Sequence, residues 1–393
     1  MERVSIMDER SSSGYHRLKP TYLNRPELEL RTVNSIEDEY WNLLLYYANI
    51  YSEGAKLLST SDGRIRRAAH SAFSAFILQA KAYYDSAKSL HHRASSLNYY
   101  YCFLNLAKAA VIVKNPRLHS SEFVHGLSGS GSNHPNLFDR TSQVFVGRTR
   151  DGKYNMYDQL YQAHYGTVLP NKSRLKIGTL LRYCSEATHQ YHLAVGKMQP
   201  RILQTYYAIR VDTTVTPYKY WPLLGIQGAH LLDEFPTFKR ALESNFERVK
   251  VHNEQARLLF GLLALESSLT TYFQGKEVFL EGRGEYFVSR SKRYLDDTIG
   301  KNMQSVYYDD SHDFLVTLPL RVNLKRPMNE FLAIYIIIHH LSELVRYRPQ
   351  YLEKMLKSKD AWALESIIDT APAMFLRGIT PLITGQDYRV LKR

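Results

Sequence analysis

The residues best placed to do chemistry are the pair His125-Gly126 and the lysine Lys108. An imidazole in a turn that directly follows a core helix can face a ligand, or it can tie the turn through one side-chain hydrogen bond. Lys108 falls between Leu104 and Val111 on an apolar helical stripe. Its amine there can meet an anion, although a lysine more often lays its stem along the core and reaches water. The Gly/Ser run from Gly126 to Ser132 offers the open amides of a phosphate nest. It lacks the Gly-Lys-Ser/Thr ending of a P-loop, and no clear strand pattern precedes it. Asp309-Asp310-Ser311-His312-Asp313 holds hard ligands but leads into a strand, and reads as a solvated turn. His91-His92 and His339-His340 are adjacent pairs, so each points to two helix faces and does not chelate. No Cys/His cluster and no Gly-x-Ser-x-Gly elbow occurs, so neither metal nor cofactor is expected and no complete catalytic set is present.

These residues hang on a predicted helical hairpin. In its first helix Phe73, Phe76, Ile77, Ala80, Tyr84, Ala87 and Leu90 recur at three and four residues, one face of a helix. Its second helix, around Leu97 to Ile112, is apolar nearly all round and belongs inside a core. Arg64, Arg66 and Arg67 precede the hairpin. An earlier helix starts at Asn34-Ser35 with Glu37, Asp38 and Glu39 on its first turn. After Asn115-Pro116 the pattern predicts strands at 143–149 and 154–159 joined by an Asp151-Gly152 turn, a helix over 174–195 and a strand at 202–216. Helices at 235–250 and 255–272 follow, then strands at 277–289 and 313–322. A helix over 328–345 and two more at 350–357 and 361–376 close the chain.

The chain has 393 residues and a formal net charge of +13, which favours polyanionic partners such as nucleic acid or nucleotides. Its thirty tyrosines can stack on bases, though most in a helical protein sit at the core with a wetted hydroxyl. The apolar run Phe331 to Ile338 is far short of the roughly 20 residues of a spanning helix, so no membrane partner is expected. The charged N-terminus lacks a secretory signal pattern. Cys102 and Cys184 fall within helical patterns as buried thiols, which points to a cytoplasmic, reducing compartment. The fold expected is mostly α (α+β), a helical body with a small antiparallel β insertion. Its parts are a flexible arm (1–33), an N-terminal helical region with the His-Gly loop (34–136), a mixed region (137–325) and C-terminal helices (326–393).

Three blocks carry a family likeness: Leu104-Asn105-Leu106-Ala107-Lys108-Ala109, Val124-His125-Gly126-Leu127, and Leu341-Ser342-Glu343-Leu344-Val345-Arg346-Tyr347. Their order and spacing resemble the YaaC-like family, bacterial cytoplasmic proteins of largely undefined activity. Where that family has a Lys/Arg run after the His-Gly pair, this chain has Ser128-Gly129-Ser130-Gly131-Ser132. The hairpin is also similar in pattern to HEPN domains, helical modules of bacterial toxin and defence systems that include metal-independent ribonucleases. Those nucleases carry an Arg, four to six intervening residues, and then a His. Imidazole serves there as acid or base and guanidinium holds phosphate. Arg182 and His189 fit that spacing, as do Arg64 and His70.

Three functions follow. The first is a non-catalytic or regulatory component of a stress or antiphage defence system, binding nucleic acid, a nucleotide or a protein partner from the same operon. The second is a HEPN-like ribonuclease using Arg182 and His189. The third is a helical assembly protein that forms a homo-oligomer.

Overall fold

The computed structural model describes residues 14–17, 27–30, 36–129, 143–146, 153–169, 173–196, 202–212, 215, 219–234, 236–249, 270–279, 303–308, 311–317, 328–386 and 389–392. It is a mostly helical α+β protein made of two compact units. One comprises residues 1–25 and 203–316, the other residues 26–202 and 317–393. The segment 137–202, expected with the mixed region, belongs to the second unit because Val144, Leu175, Ile177 and Leu180 join its helical core.

The helical unit begins with α1 (Ile36–Asn49), which buries Tyr40, Trp41, Leu44 and Ala48. α2 (Gly63–Ser89) and α3 (His92–Lys114) form the expected hairpin. Tyr83 stacks on Tyr101 at 5.3 Å and Asn98 donates to Ser86 Oγ at 2.9 Å, which fixes the two helices antiparallel. α2 starts earlier than the apolar pattern alone indicates, so the arginines 64, 66 and 67 lie within it. The Asp62 carboxylate caps it by accepting from the amides of Arg64 and Ile65, supplying the negative charge its first turn lacks.

α3 is central, with every residue from Cys102 to Val113 buried except Lys108. Against it lie α4 (Met156–Tyr165), α6 (Glu330–Tyr347) and α8 (Ala361–Thr384), while α5 (Thr188–Val195) and α7 (Pro349–Leu356) complete the unit. Phe103 stacks on Phe375 with ring centres 4.1 Å apart. α6 is buried without interruption from Glu330 to Ser342. Each large apolar side chain so enclosed contributes roughly 1.5–3 kcal/mol of transfer free energy.

Several expected elements differ. The strand expected at 154–159 is only Tyr154–Asn155, followed by α4, because Tyr157, Leu160, Tyr161 and Tyr165 are spaced to bury one helical face. Asn155 Oδ1 caps that helix by accepting from the amide of Asp158. The strand Gln143–Val146 pairs with Leu127–Gly129 and Ser173–Lys176, rather than forming a hairpin with Tyr154–Asn155. The helix expected over 174–195 breaks into Ile177–Leu180, a tight turn Leu181–Tyr183, and α5. α8 runs on to Thr384, with Pro372 and Pro381 inside it. In the arm expected to be flexible, Glu27–Leu30 pairs in parallel with Arg389–Lys392.

The other unit holds the β insertion, larger than expected. Its antiparallel sheet runs in the order Phe246–Val249, Thr270–Gly275, Lys219–Gln227, Ile202–Asp212, Ser311–Thr317, Met303–Tyr308, with Gly14–Arg17 paired to Ile202–Asp212 and Val278–Phe279 to Lys219–Gln227. The helix expected over 235–250 stops at Glu243 and gives way to a strand, and Thr270–Gly275 replaces the end of the helix expected over 255–272. The rest of that helix, most of the pair expected at 277–289, and Asp309-Asp310 lie outside the described residues.

Candidate functional site at His125

His125 sits in the turn that links the end of the hairpin to α4, and the turn is fixed from two sides. Gly126 has φ +73°, and a Cβ there would overlap the side chain of Asn155. Asn155 in turn donates to the Gly126 carbonyl at 3.2 Å while capping α4. Three residues on from Gly126, the amide of Gly129 donates to the carboxylate of Glu343, and a Cβ on Gly129 would meet the same carboxylate. Glycine is thus required at Gly126, while at Gly129 the flexible carboxylate of Glu343 would have to move.

The imidazole faces inward. Its Nδ1 lies 2.5 Å from the phenolic oxygen of Tyr100, a fully buried residue of α3. The edge of His339, on α6, meets the face of Tyr100 at 4.9 Å and lies 6.3 Å from His125, centre to centre. His339 is buried and its Nδ1 has no hydrogen-bond partner among the described residues. Its neighbour His340 points elsewhere, towards Gly129, so the adjacent pair splits between two directions as its spacing requires.

Burial, and then the positive charges of Arg346 and Lys108, hold the imidazole of His125 below its ordinary value. Burial first, with His125 and Arg346 adding to it, pushes His339 down to about 3. Burial raises the phenol of Tyr100. At neutral pH the centre is therefore two neutral imidazoles and a protonated phenol. With the phenol donating to Nδ1, His125 carries its own proton on Nε2 as a donor.

Two cations flank it. Arg346, half-buried on α6, lies 6.0 Å from the Tyr100 ring centre and donates from Nε to the Ser342 carbonyl at 3.3 Å. Lys108, half-buried on α3, lies 5.0 Å from the ring centre of Phe76, and desolvation lowers its amine. Neither forms an ion pair among the described residues. The neighbouring carboxylate, Glu343, is raised by burial and turned to the Gly129 amide. One imidazole donor beside two half-buried cations that lower its proton affinity suits an anion.

Arg182 and His189 lie on different segments. Arg182 is buried in the Leu181–Tyr183 turn and His189 belongs to α5, its side chain outside the described residues. The break between them follows from Ser185, whose amide and hydroxyl both donate to Glu330 Oε1, at 2.6 and 2.5 Å, and so leave the helical ladder. His70 is buried with Nε2 3.1 Å from the Tyr47 carbonyl, while Arg64 is exposed. Among the described residues no three His, Cys, Asp or Glu side chains form a metal-binding group, and no helix is long and apolar enough to cross a membrane.

Sequence reasoning singles out His125, Gly126 and Lys108; the structure sets Tyr100, His339, Arg346, Glu343 and Asn155 around the same turn, none of which the sequence marks as a candidate. Arg346 and Glu343 do fall within one of the three family blocks, and that was the available signal. The centre belongs to a mostly helical α+β protein whose hairpin and late apolar helix enclose a His-Gly turn. The chain belongs to the YaaC-like family, whose model matches residues 37–383 and so spans these elements. No curated protein and no solved structure matches it.

Proposed function

We propose that this chain is a non-catalytic, regulatory component of a bacterial stress or antiphage defence system that binds a phosphate-bearing ligand, a nucleotide or nucleic acid, at His125. The observation that supports it is the pair of half-buried cations, Lys108 and Arg346, beside the imidazole and without a carboxylate ion pair among the described residues. Half-buried cations that lack a carboxylate ion pair are costly unless something anionic completes them. The net charge of +13 adds long-range attraction for the same ligands.

The test is titration of labelled RNA, DNA and nucleotides at low and high salt, with Arg346→Gln and Lys108→Gln alongside. The expected result is salt-dependent binding that each variant weakens by about tenfold or more, the loss of one charge-assisted contact. No binding to any of these anions at low salt would overturn the reading. RNA cleavage abolished by Arg182→Ala with His189→Ala would return the chain to the ribonuclease class.

A further inference from the structure

α1 and α2 present a face built to be covered. They run antiparallel: Tyr84 donates to Glu37 at one end, and His70 meets the Tyr47 carbonyl at the other. Beside them opens a groove of about 570 Å³, in which Ser71, Ser74 and Ala75 are small and Tyr51, Arg67, His70 and Leu78 are large. Four large apolar side chains of this region stand in solvent: Leu78 (47% exposed), Tyr51 (46%), Tyr46 (45%) and Ile50 (41%). Between Arg67 and Lys81 the exposed residues of α2 are Ala68, Ser71, Ala75, Leu78 and Gln79, an uncharged stretch.

Charge collects at the two ends and is opposite in sign. At the start of α1 stand Glu37, Asp38 and Glu39, with Lys88 3.8 Å from Glu37. At the start of α2, Arg64 and Arg67 are exposed and form no ion pair among the described residues. A face that is acidic at one end, uncharged in the middle and basic at the other is complementary to itself under a two-fold axis through its middle. A nucleic acid would match the arginines but be repelled by the three carboxylates.

We infer that the α1–α2 groove is the interface of a homodimer, two copies meeting antiparallel with Leu78 of each seated in the groove of the other. Arg64 and Arg67 of one copy then face Glu37, Asp38 and Glu39 of the second. The small side chains of the groove leave the room a leucine needs, and the exposed tyrosines close over it. This surface is independent of the ligand proposed for His125.

Sedimentation velocity on the full chain at tens of micromolar tests it. The expected result is a dimer whose dissociation constant rises at least about tenfold in Leu78→Glu, roughly 1.4 kcal/mol. Far-UV circular dichroism should be unchanged, because Leu78 is exposed in the single copy. Arg64→Glu with Arg67→Glu should weaken the dimer, and adding Asp38→Lys with Glu39→Lys should restore it. A chain that stays monomeric at that concentration, or a dimer indifferent to Leu78→Glu, overturns the interface. A dimer broken by Leu78→Glu but indifferent to the charge reversals overturns the antiparallel pairing.

Discussion

The phenolic oxygen of Tyr100 and Nδ1 of His125 lie 2.5 Å apart across twenty-five residues of chain, and this contact decides which imidazole nitrogen is left to act. Tyr100→Phe keeps the ring against His339 and removes the hydroxyl alone. The expected cost is about 1 kcal/mol of stability. Nitrogen-15 NMR of the imidazole should show one tautomer, protonated on Nε2, in the native chain and a mixture in the variant. An unchanged tautomer in Tyr100→Phe would remove the phenol from that role.

The His-Gly turn should tolerate little change at Gly126. Alanine there must adopt φ +73° and displace Asn155, so Gly126→Ala should cost at least about 1–2 kcal/mol from the backbone alone. Asn155→Ala loses both the bond to the Gly126 carbonyl and the cap of α4, a similar loss of about 1–2 kcal/mol. Urea unfolding measures both. Because the two residues act on one turn, the double variant should cost less than the sum.

Acid should destabilise the helical unit earlier than its carboxylates alone would cause. His339 is held to about 3, His164 to about 4 and His340 to about 4, each first by burial. All three lie below their ordinary value of 6.5. The unfolded chain therefore binds more protons than the folded one as pH falls below about 6.5. Their contribution is present above that pH and is lost on the way to 4, at up to about 1.4 kcal/mol per histidine per pH unit. Glu343 and Glu186, raised by burial, act in the opposite sense and offset part of the loss. Urea midpoints between pH 7 and 4.5 should fall steeply, and His339→Phe should flatten the slope. Parallel slopes for the two chains would contradict the assignment.

What was legible in the sequence depended on how local its cause is. α2, α3 and α6 have apolar residues at helical spacing over five or more turns, and a pattern that long survives any tertiary context. α4 was misread because Tyr154 and Tyr157 score as strand formers, whereas the burial of Tyr157, Leu160 and Tyr161 in the helical core makes the segment after Asn155 helical. His125 stood out because Gly126 marks its turn. Tyr100 did not, being one of thirty tyrosines. Arg346 and Glu343 reach His125 and Gly129 across more than two hundred residues, a proximity created by α6 lying on α3 and absent from any spacing rule. The break at Cys184 likewise depends on Glu330, far along the chain.

That distant carboxylate leads to the sharpest expectation about the core. Glu330 is 2% exposed, and Arg377 on α8 holds it at 2.8 Å through Nη2 while reaching Glu186 at 2.8 Å through Nη1. The same Nη2 donates to Ser185 Oγ at 3.2 Å. Three segments far apart in sequence therefore meet on one guanidinium. Arg377→Met leaves the buried Glu330 and the half-buried Glu186 without their counter-charge, which should cost about 3–5 kcal/mol in chemical denaturation. Neutralising them as well, with Glu330→Gln and Glu186→Gln added to Arg377→Met, removes the uncompensated charge and should recover a large part of that loss. If Arg377→Met alone is nearly neutral, the guanidinium does not join the turn at Ser185 to α6 and α8. If the triple variant is as unstable as the single one, the cost lies in packing and not in charge.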